Sequence, residues 1–138
     1  MRKMIFTLLG VGALLGTSYA AQANSVLILE GYQAQAQMDD PAFREFSAER
    51  GQEFFLQNHT GGKPQTPSCT TCHTSDPSGV GQTRAGKTIA PLAISKTPDR
   101  YSDFEKVEKW FRRNCTSVLG RTCSAREKGD FITFMKTR

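Results

Sequence analysis

The chain has 138 residues and a mass of 15.3 kDa, with 18 basic against 13 acidic side chains for a formal charge of +5. That length holds one small domain, which excludes a two-domain enzyme with a nucleotide-binding fold and a multi-span membrane protein. The charge excess is too slight for a nucleic-acid binder, in which basic residues cluster on one face.

Arg2 and Lys3 precede an apolar run of 13 residues from Met4 to Gly16. This charged start and short apolar core read as an export leader, since crossing a bilayer takes ~20 apolar residues. Small-residue cleavage sequences follow at Ser18-Tyr19-Ala20 and Ala21-Gln22-Ala23. Residues 1–23 are therefore expected to be removed, after Ala20 or after Ala23, with an uncleaved anchor as the rival reading. The mature chain would keep 115 of the 138 residues, with 16 basic groups facing 13 acidic ones and no membrane span. It would work in an oxidising compartment, where disulfides persist, and a bacterial periplasm fits best.

In chain order, residues 24–40 carry apolar Val26 to Leu29 and then a Gln/Ala-rich stretch, and no element can be assigned to them. Asp39 or Asp40 can cap a helix with Pro41 in its first turn, the position where proline is favoured. That helix is expected to run to about Gln57, with Phe43, Phe46 and Phe54 on one side. Residues 58–68 read as a Gly/Pro loop.

The loop leads into Cys69-Thr70-Thr71-Cys72-His73, the pattern for covalent attachment of a c-type haem. Two thiols at this spacing reach the two vinyl groups on one porphyrin edge, and the following histidine falls beneath the iron as proximal ligand. A thioredoxin-like redox pair is the first alternative, but it lacks its strand and helix here, because the flanks are polar and rich in Gly and Pro. A structural zinc site is the second, and it would need a fourth ligand nearby, whereas Cys115 and Cys123 lie far downstream. One haem c per chain is expected on Cys69 and Cys72, with His73 on the iron.

Residues 74–98 read as a long loop bearing Pro77, Gly79, Gly81, Gly86, Pro91 and Pro98. A segment that long and irregular is unusual in a compact domain, but it can pack on a porphyrin. Two helices are then predicted by capping boxes, Ser102 with Glu105 and Ser124 with Glu127. The first places Phe104, Val107, Phe111 and Asn114 on one stripe, and the second sets Ile132 and Met135 one turn apart beside Phe131 and Phe134. The fold class is all-α, about three helices plus loops in one domain over residues 41–138, with the haem supplying much of the core.

These residues resemble small class I cytochromes c. Gly51 and Phe55 resemble the Gly-x-x-x-aromatic pattern that packs on the C-terminal helix of that family. Ile89-Ala90-Pro91-Leu92 resembles its haem-loop proline segment, which implies that the Pro91 carbonyl accepts the His73 Nδ1–H and fixes the ligand's tautomer. A closer resemblance, from about Gly51 to Phe134, is to the sphaeroides haem proteins, high-spin cytochromes c. It is most specific in Gly86-Lys87-Thr88-Ile89-Ala90-Pro91-Leu92-Ala93 and in Val107-Glu108-Lys109-Trp110-Phe111-Arg112-Arg113-Asn114-Cys115. Ile94 departs from the proline expected at its position, and residues 24–50 match poorly.

The distal ligand decides between two functions. No methionine lies between His73 and Met135. Helical spacing makes Met135 a core residue, Met38 reads as packing or surface, and His59 sits in a polar loop beside Gly61 and Gly62. Asn114 is by itself an ordinary residue near a helix end. The resemblance, however, implies that the asparagine of this Asn-Cys pair is the sixth ligand of the ferric haem. A neutral carboxamide oxygen is a hard, weak donor that suits Fe(III) and not Fe(II), so reduction would release it. Cys115 and Cys123 enclose seven residues and are expected to form a disulfide, worth about 2.5 kcal/mol by chain entropy. It would stabilise a short exported domain and pin the loop beside Asn114.

Residues 59–138 hold 14 basic and 7 acidic groups, and residues 24–58 hold 2 and 6. Lys106, Lys109 and Arg113 share a helix face that is either simply solvated or steers an acidic partner, and Lys87 or Arg100 is a candidate to neutralise haem propionates. The two functional readings are an electron shuttle with a permanent sixth ligand and a redox haem that binds O2, NO or CO when reduced. The resemblance implies the second, with a dihaem cytochrome c as electron donor.

Overall fold

The computed structural model describes residues 16–138. Much of the expected leader, residues 1–15, lies outside the described residues. Helix α1 (Gly16–Asp39) passes through both expected cleavage sequences and through the stretch that periodicity left unassigned. It forms a helix because Ser25, Ile28, Tyr32 and Ala36 recur every third or fourth residue and are buried on one side. Among the described residues, no helix is long and apolar enough to cross a membrane.

One connection is polar and specific. The Tyr32 hydroxyl donates to Glu108 Oε1. The Lys128 ammonium donates to both oxygens of the same carboxylate, at 2.7 and 2.9 Å, and lies 5.3 Å over the Tyr32 ring. Burial by itself would raise the Glu108 pKa. Hydrogen bonds from Lys128 and Tyr32 and the charges of Lys128 and Arg112 outweigh that and hold the carboxyl below its ordinary range.

The helix expected to begin at Asp39 or Asp40 begins later. Asp39 is the last residue of α1, and Asp40 forms a turn in which its Oδ1 accepts the Ala42 amide at 2.9 Å and its carbonyl accepts the Phe43 amide. Pro41 sits in that turn. Helix α2 (Ala48–Leu56) is capped by Ser47, whose hydroxyl oxygen accepts the Arg50 amide. The local cap at Ser47 wins because Asp130 supports it: its Oδ1 accepts the Ser47 amide at 2.7 Å, and Arg50 grips the same carboxylate through Nε and Nη2 at 2.7 and 2.8 Å. Phe43 and Phe46 thus precede the helix, their rings 5.2 Å apart.

Helix α2 crosses α5 (Ala125–Lys136) at Gly51, where a Cβ would lie 2.1 Å from the Asp130 carbonyl oxygen. Only glycine permits that approach. Phe55, one turn on, is fully buried with its ring 5.9 Å from Phe134 and 6.2 Å from Phe131. Burying a phenylalanine this completely is worth about 2–3 kcal/mol.

Helix α3 (Thr70–His73) is one turn, and an antiparallel ribbon follows, β1 (Gly81–Gln82) with β2 (Thr88–Ile89), pairing Gly81 with Ile89. Helix α4 (Phe104–Leu119) is capped by Asp103 rather than Ser102. The Asp103 carboxylate accepts the Lys106 amide at 3.0 Å, while the Ser102 hydroxyl donates backwards to the Asp99 carbonyl. A carboxylate at the N-terminus gains from the helix dipole as well as from the hydrogen bond. The Ser124–Glu127 box opens α5 as the sequence predicts, both of its hydrogen bonds being formed. The fold is all-α, with α1 and α3 added to the three helices that the sequence predicts.

Candidate haem site

Ser68 positions the Cys69–His73 turn. Its buried hydroxyl reaches the Phe55 carbonyl at the end of α2, pairs with the Thr70 hydroxyl at 2.9 Å and accepts the Thr70 amide. The His73 amide closes the turn on the Cys69 carbonyl at 3.2 Å. Thr74 then leaves the helix at φ +59°, the only non-glycine with positive φ among the described residues. Its hydroxyl donates to the Asp76 carbonyl, which helps to hold a conformation that β-branched residues rarely adopt.

Cys69 and Cys72 are free thiols, both half-buried. Burial pushes the Cys69 pKa up to about 11. Burial, and secondly the charge of Arg100, lower that of His73 to about 4. The imidazole is therefore neutral at physiological pH, the form that ligates a metal. No third or fourth side chain completes a metal cluster, since no group of three His, Cys, Asp or Glu residues is gathered among the described residues. The donor set of two thiols followed by a neutral imidazole fits a haem. An open cleft of about 350 Å³ runs beside the turn, lined by Thr70, Thr71, Cys72 and Thr74 and, across from them, Val80, Gln82, Thr83 and Arg84.

The long loop is tied to itself and to α5. The Leu92 and Ala93 amides donate to the Pro77 carbonyl at 2.9 and 3.0 Å, the Tyr101 hydroxyl donates to the Leu92 carbonyl, and the Ile94 amide reaches the Met135 carbonyl. The Pro91 carbonyl accepts the Thr97 hydroxyl at 2.9 Å. The expected bond from His73 Nδ1 to Pro91 is not formed among the described residues, although this carbonyl oxygen keeps a second lone pair. Arg100 is half-buried, acts on both His73 and Tyr101, and has no carboxylate within 4 Å among the described residues. Lys87 is exposed beside the ribbon.

On α4 the buried stripe is Val107, Phe111, Cys115 and Val118. Asn114 is not inside it, as the spacing predicts, but exposed at its border, one turn beyond the half-exposed Trp110. The 100° step per residue explains the difference: Cys115, not Asn114, continues the line from Phe111. Cys115 and Cys123 are joined, with their Cα atoms 5.7 Å apart.

The rival ligands are engaged elsewhere. Met135 is fully buried in the α5 core, and Met38 is 70% exposed on α1. The His59 ring lies edge-on to Phe54. Its Nε2 is 2.9 Å from the Phe54 carbonyl, which only accepts and so requires the proton there. Its Nδ1 is 3.3 Å from the Gln57 amide nitrogen, so both ring nitrogens have partners. Ser68 is a contributor whose role at this site a linear reading does not reveal, since no periodicity or spacing signals it, while of the two basic candidates for a propionate only Arg100 lies against His73.

A short helical fold around a Cys-x-x-Cys-His turn with a neutral histidine defines a c-type cytochrome. The comparisons agree. The family model described as "Domain of unknown function (DUF1924)" matches residues 41–135. The cytochrome c-type protein SHP of Cereibacter sphaeroides is 50% identical over 122 residues, covering 88% of this chain and 90% of that protein. Cytochrome c'' of Methylophilus methylotrophus is 31% identical over 131 residues, covering 91% of each. The structure of oxidised SHP, described as an oxygen-binding cytochrome c, superposes with a TM-score of 0.76 at 49% identity, covering 83% of this chain and 96% of that one. Oxidised cytochrome c'' superposes with a TM-score of 0.74 at 32% identity, covering 84% and 95%. The chain belongs to the SHP family of class I-like cytochromes c, and haem c is its implied cofactor.

Proposed function

We propose that this chain is an exported, periplasmic cytochrome carrying one covalent haem c, which transfers electrons and binds O2 or NO on its reduced form. Cys69 and Cys72 hold the haem through thioethers, and His73 is the proximal ligand, its Nδ1–H turning to the Pro91 carbonyl once the ring is seated. Arg100, rather than the exposed Lys87, offsets a propionate. Bound there, the haem would supply a one-electron Fe(III)/Fe(II) couple and an iron to which a diatomic gas could bind. Asn114 lends its carboxamide oxygen to the ferric state and withdraws on reduction, because that neutral hard donor has little affinity for Fe(II). The electron donor proposed from the family resemblance is a dihaem cytochrome c.

The observation that carries this reading is the contrast among possible sixth ligands. Asn114 is accessible beside Trp110, whereas Met135 is sealed in the core and both His59 nitrogens are engaged. The oxygen binding stated for oxidised SHP's protein supports it at 49% identity. The test is an absorption spectrum of ferric and dithionite-reduced holoprotein, with and without CO. A high-spin ferrous spectrum that shifts at once on adding CO is expected. A low-spin ferrous haem that resists CO would instead establish the shuttle with a permanent sixth ligand.

A further inference from the structure

The last carbonyls of a helix have no intrahelical donors and must find partners elsewhere. At the end of α4 the Ser117 carbonyl finds two, both on the loop before the haem turn. The Lys63 amide donates to it at 2.7 Å, and the Thr66 hydroxyl donates at 3.1 Å. The Thr66 oxygen also lies 2.9 Å from the Ser117 hydroxyl, from which it can accept in return. Gly62 lets the loop backbone lie directly on the helix end, since a Cβ there would fall 2.3 Å from the Val118 carbonyl oxygen and 2.4 Å from that of Ser117.

Thr66 stands three residues before Cys69, and Ser117 three residues after Asn114. The loop is closed at its base by the His59 amide on the Pro67 carbonyl at 2.7 Å, so it cannot stretch freely between the two. We propose that Thr66, bonded to Ser117 beside the Lys63 amide, is a positioning residue that fixes the Asn114 end of α4 against the haem-attachment turn. The inference rests on Asn114 being the ferric ligand. A weak donor gains most from being held in place, because preorganisation removes the entropy of bringing it to the iron.

The test uses the ferric holoprotein and azide, which must displace Asn114 to bind. Thr66→Val keeps the shape and deletes the hydroxyl. Losing one hydrogen bond's worth of positioning is expected to raise azide affinity about fivefold. Thr66→Ser restores the hydroxyl and is expected to stay within about twofold of the parent, while Ser117→Ala, which removes only the second contact, is expected to give about a twofold rise. The rate of CO binding to the ferrous protein should be unchanged in all three, because the amide has already left. A lowered urea midpoint for Thr66→Val without a change in azide affinity would mean a purely structural role and would overturn the inference. Asn114→Ala separates the two ideas: if it raises azide affinity and neither Thr66→Val nor Ser117→Ala does, the clasp alone is wrong. If Asn114→Ala changes nothing, the ligand reading fails and the clasp fails with it.

Discussion

The proximal side of the site comes from five consecutive residues, Cys69 to His73, wound into one turn and backed by Ser68. The distal side has no such contiguous origin. Asn114 owes its place to a helix capped at Asp103, a disulfide from Cys115 to Cys123, and a loop that seats its end through Lys63 and Thr66. The difference teaches where each property resides. Covalent attachment needs only local spacing, so it is robust and all-or-none. The proposed release of Asn114 would need a balance between a weak bond and the scaffold that presents it, so it would be graded and open to tuning from several places.

The largest effect is expected on the proximal side. Cys69→Ser with Cys72→Ser should abolish covalent haem altogether, and the intact mass of protein matured in a haem-attaching periplasm should then fall by one haem. Retention of that mass would show that the haem is attached elsewhere. On the distal side, Cys115→Ser with Cys123→Ser is expected to cost about 2.5 kcal/mol in urea unfolding. If the same variant leaves ferric azide affinity unchanged, the bridge serves stability alone and only the loop clasp positions Asn114.

Asn114→Ala is expected to raise ferric azide affinity about tenfold, which corresponds to a ligand that occupies the site about nine-tenths of the time. Ferrous CO binding should stay within about twofold of the parent, since the competent state is already fully populated. A smaller effect concerns the other end of α4. Because Glu108 is held below its ordinary range by Lys128 and Tyr32 against the cost of burial, its contribution to folding is present above the usual glutamate pKa. It is lost as pH falls through the folded value. Hydrogen exchange at the amides of Ile28 to Ala36 should therefore quicken in acid sooner than exchange in α5. Glu108→Gln should remove that pH dependence, and an unchanged profile would disconnect α1 from the distal helix.

The Gly51–Phe55 crossing and the Ser124–Glu127 cap were both legible in the chain, because each depends on residues a fixed few positions apart. The start of α2 was not. Asp40 followed by Pro41 satisfies every local rule for a helix start, yet Asp130 draws Ser47 and Arg50 into a better one from the far side of the molecule. Asn114 was misplaced by a single helical step, since a 3-4-3 spacing drifts off the buried line while Cys115 stays on it. Helix α1 escaped notice because its buried side is made of Ser25, Ile28, Tyr32 and Ala36, too mixed in polarity to announce a stripe.

By itself, the sequence determined the helical class, the Cys-x-x-Cys-His motif and the family, because these follow from spacing along the backbone and from the chemistry of each side chain. Tertiary structure decided where α2 begins and that Ser47 rather than Asp40 caps it. It also engaged both nitrogens of His59, buried Met135, and left Asn114 exposed beside Trp110 with its helix end clasped by Thr66. Those outcomes depend on which groups meet across long stretches of chain and on which remain accessible, and neither is set until the helices have packed.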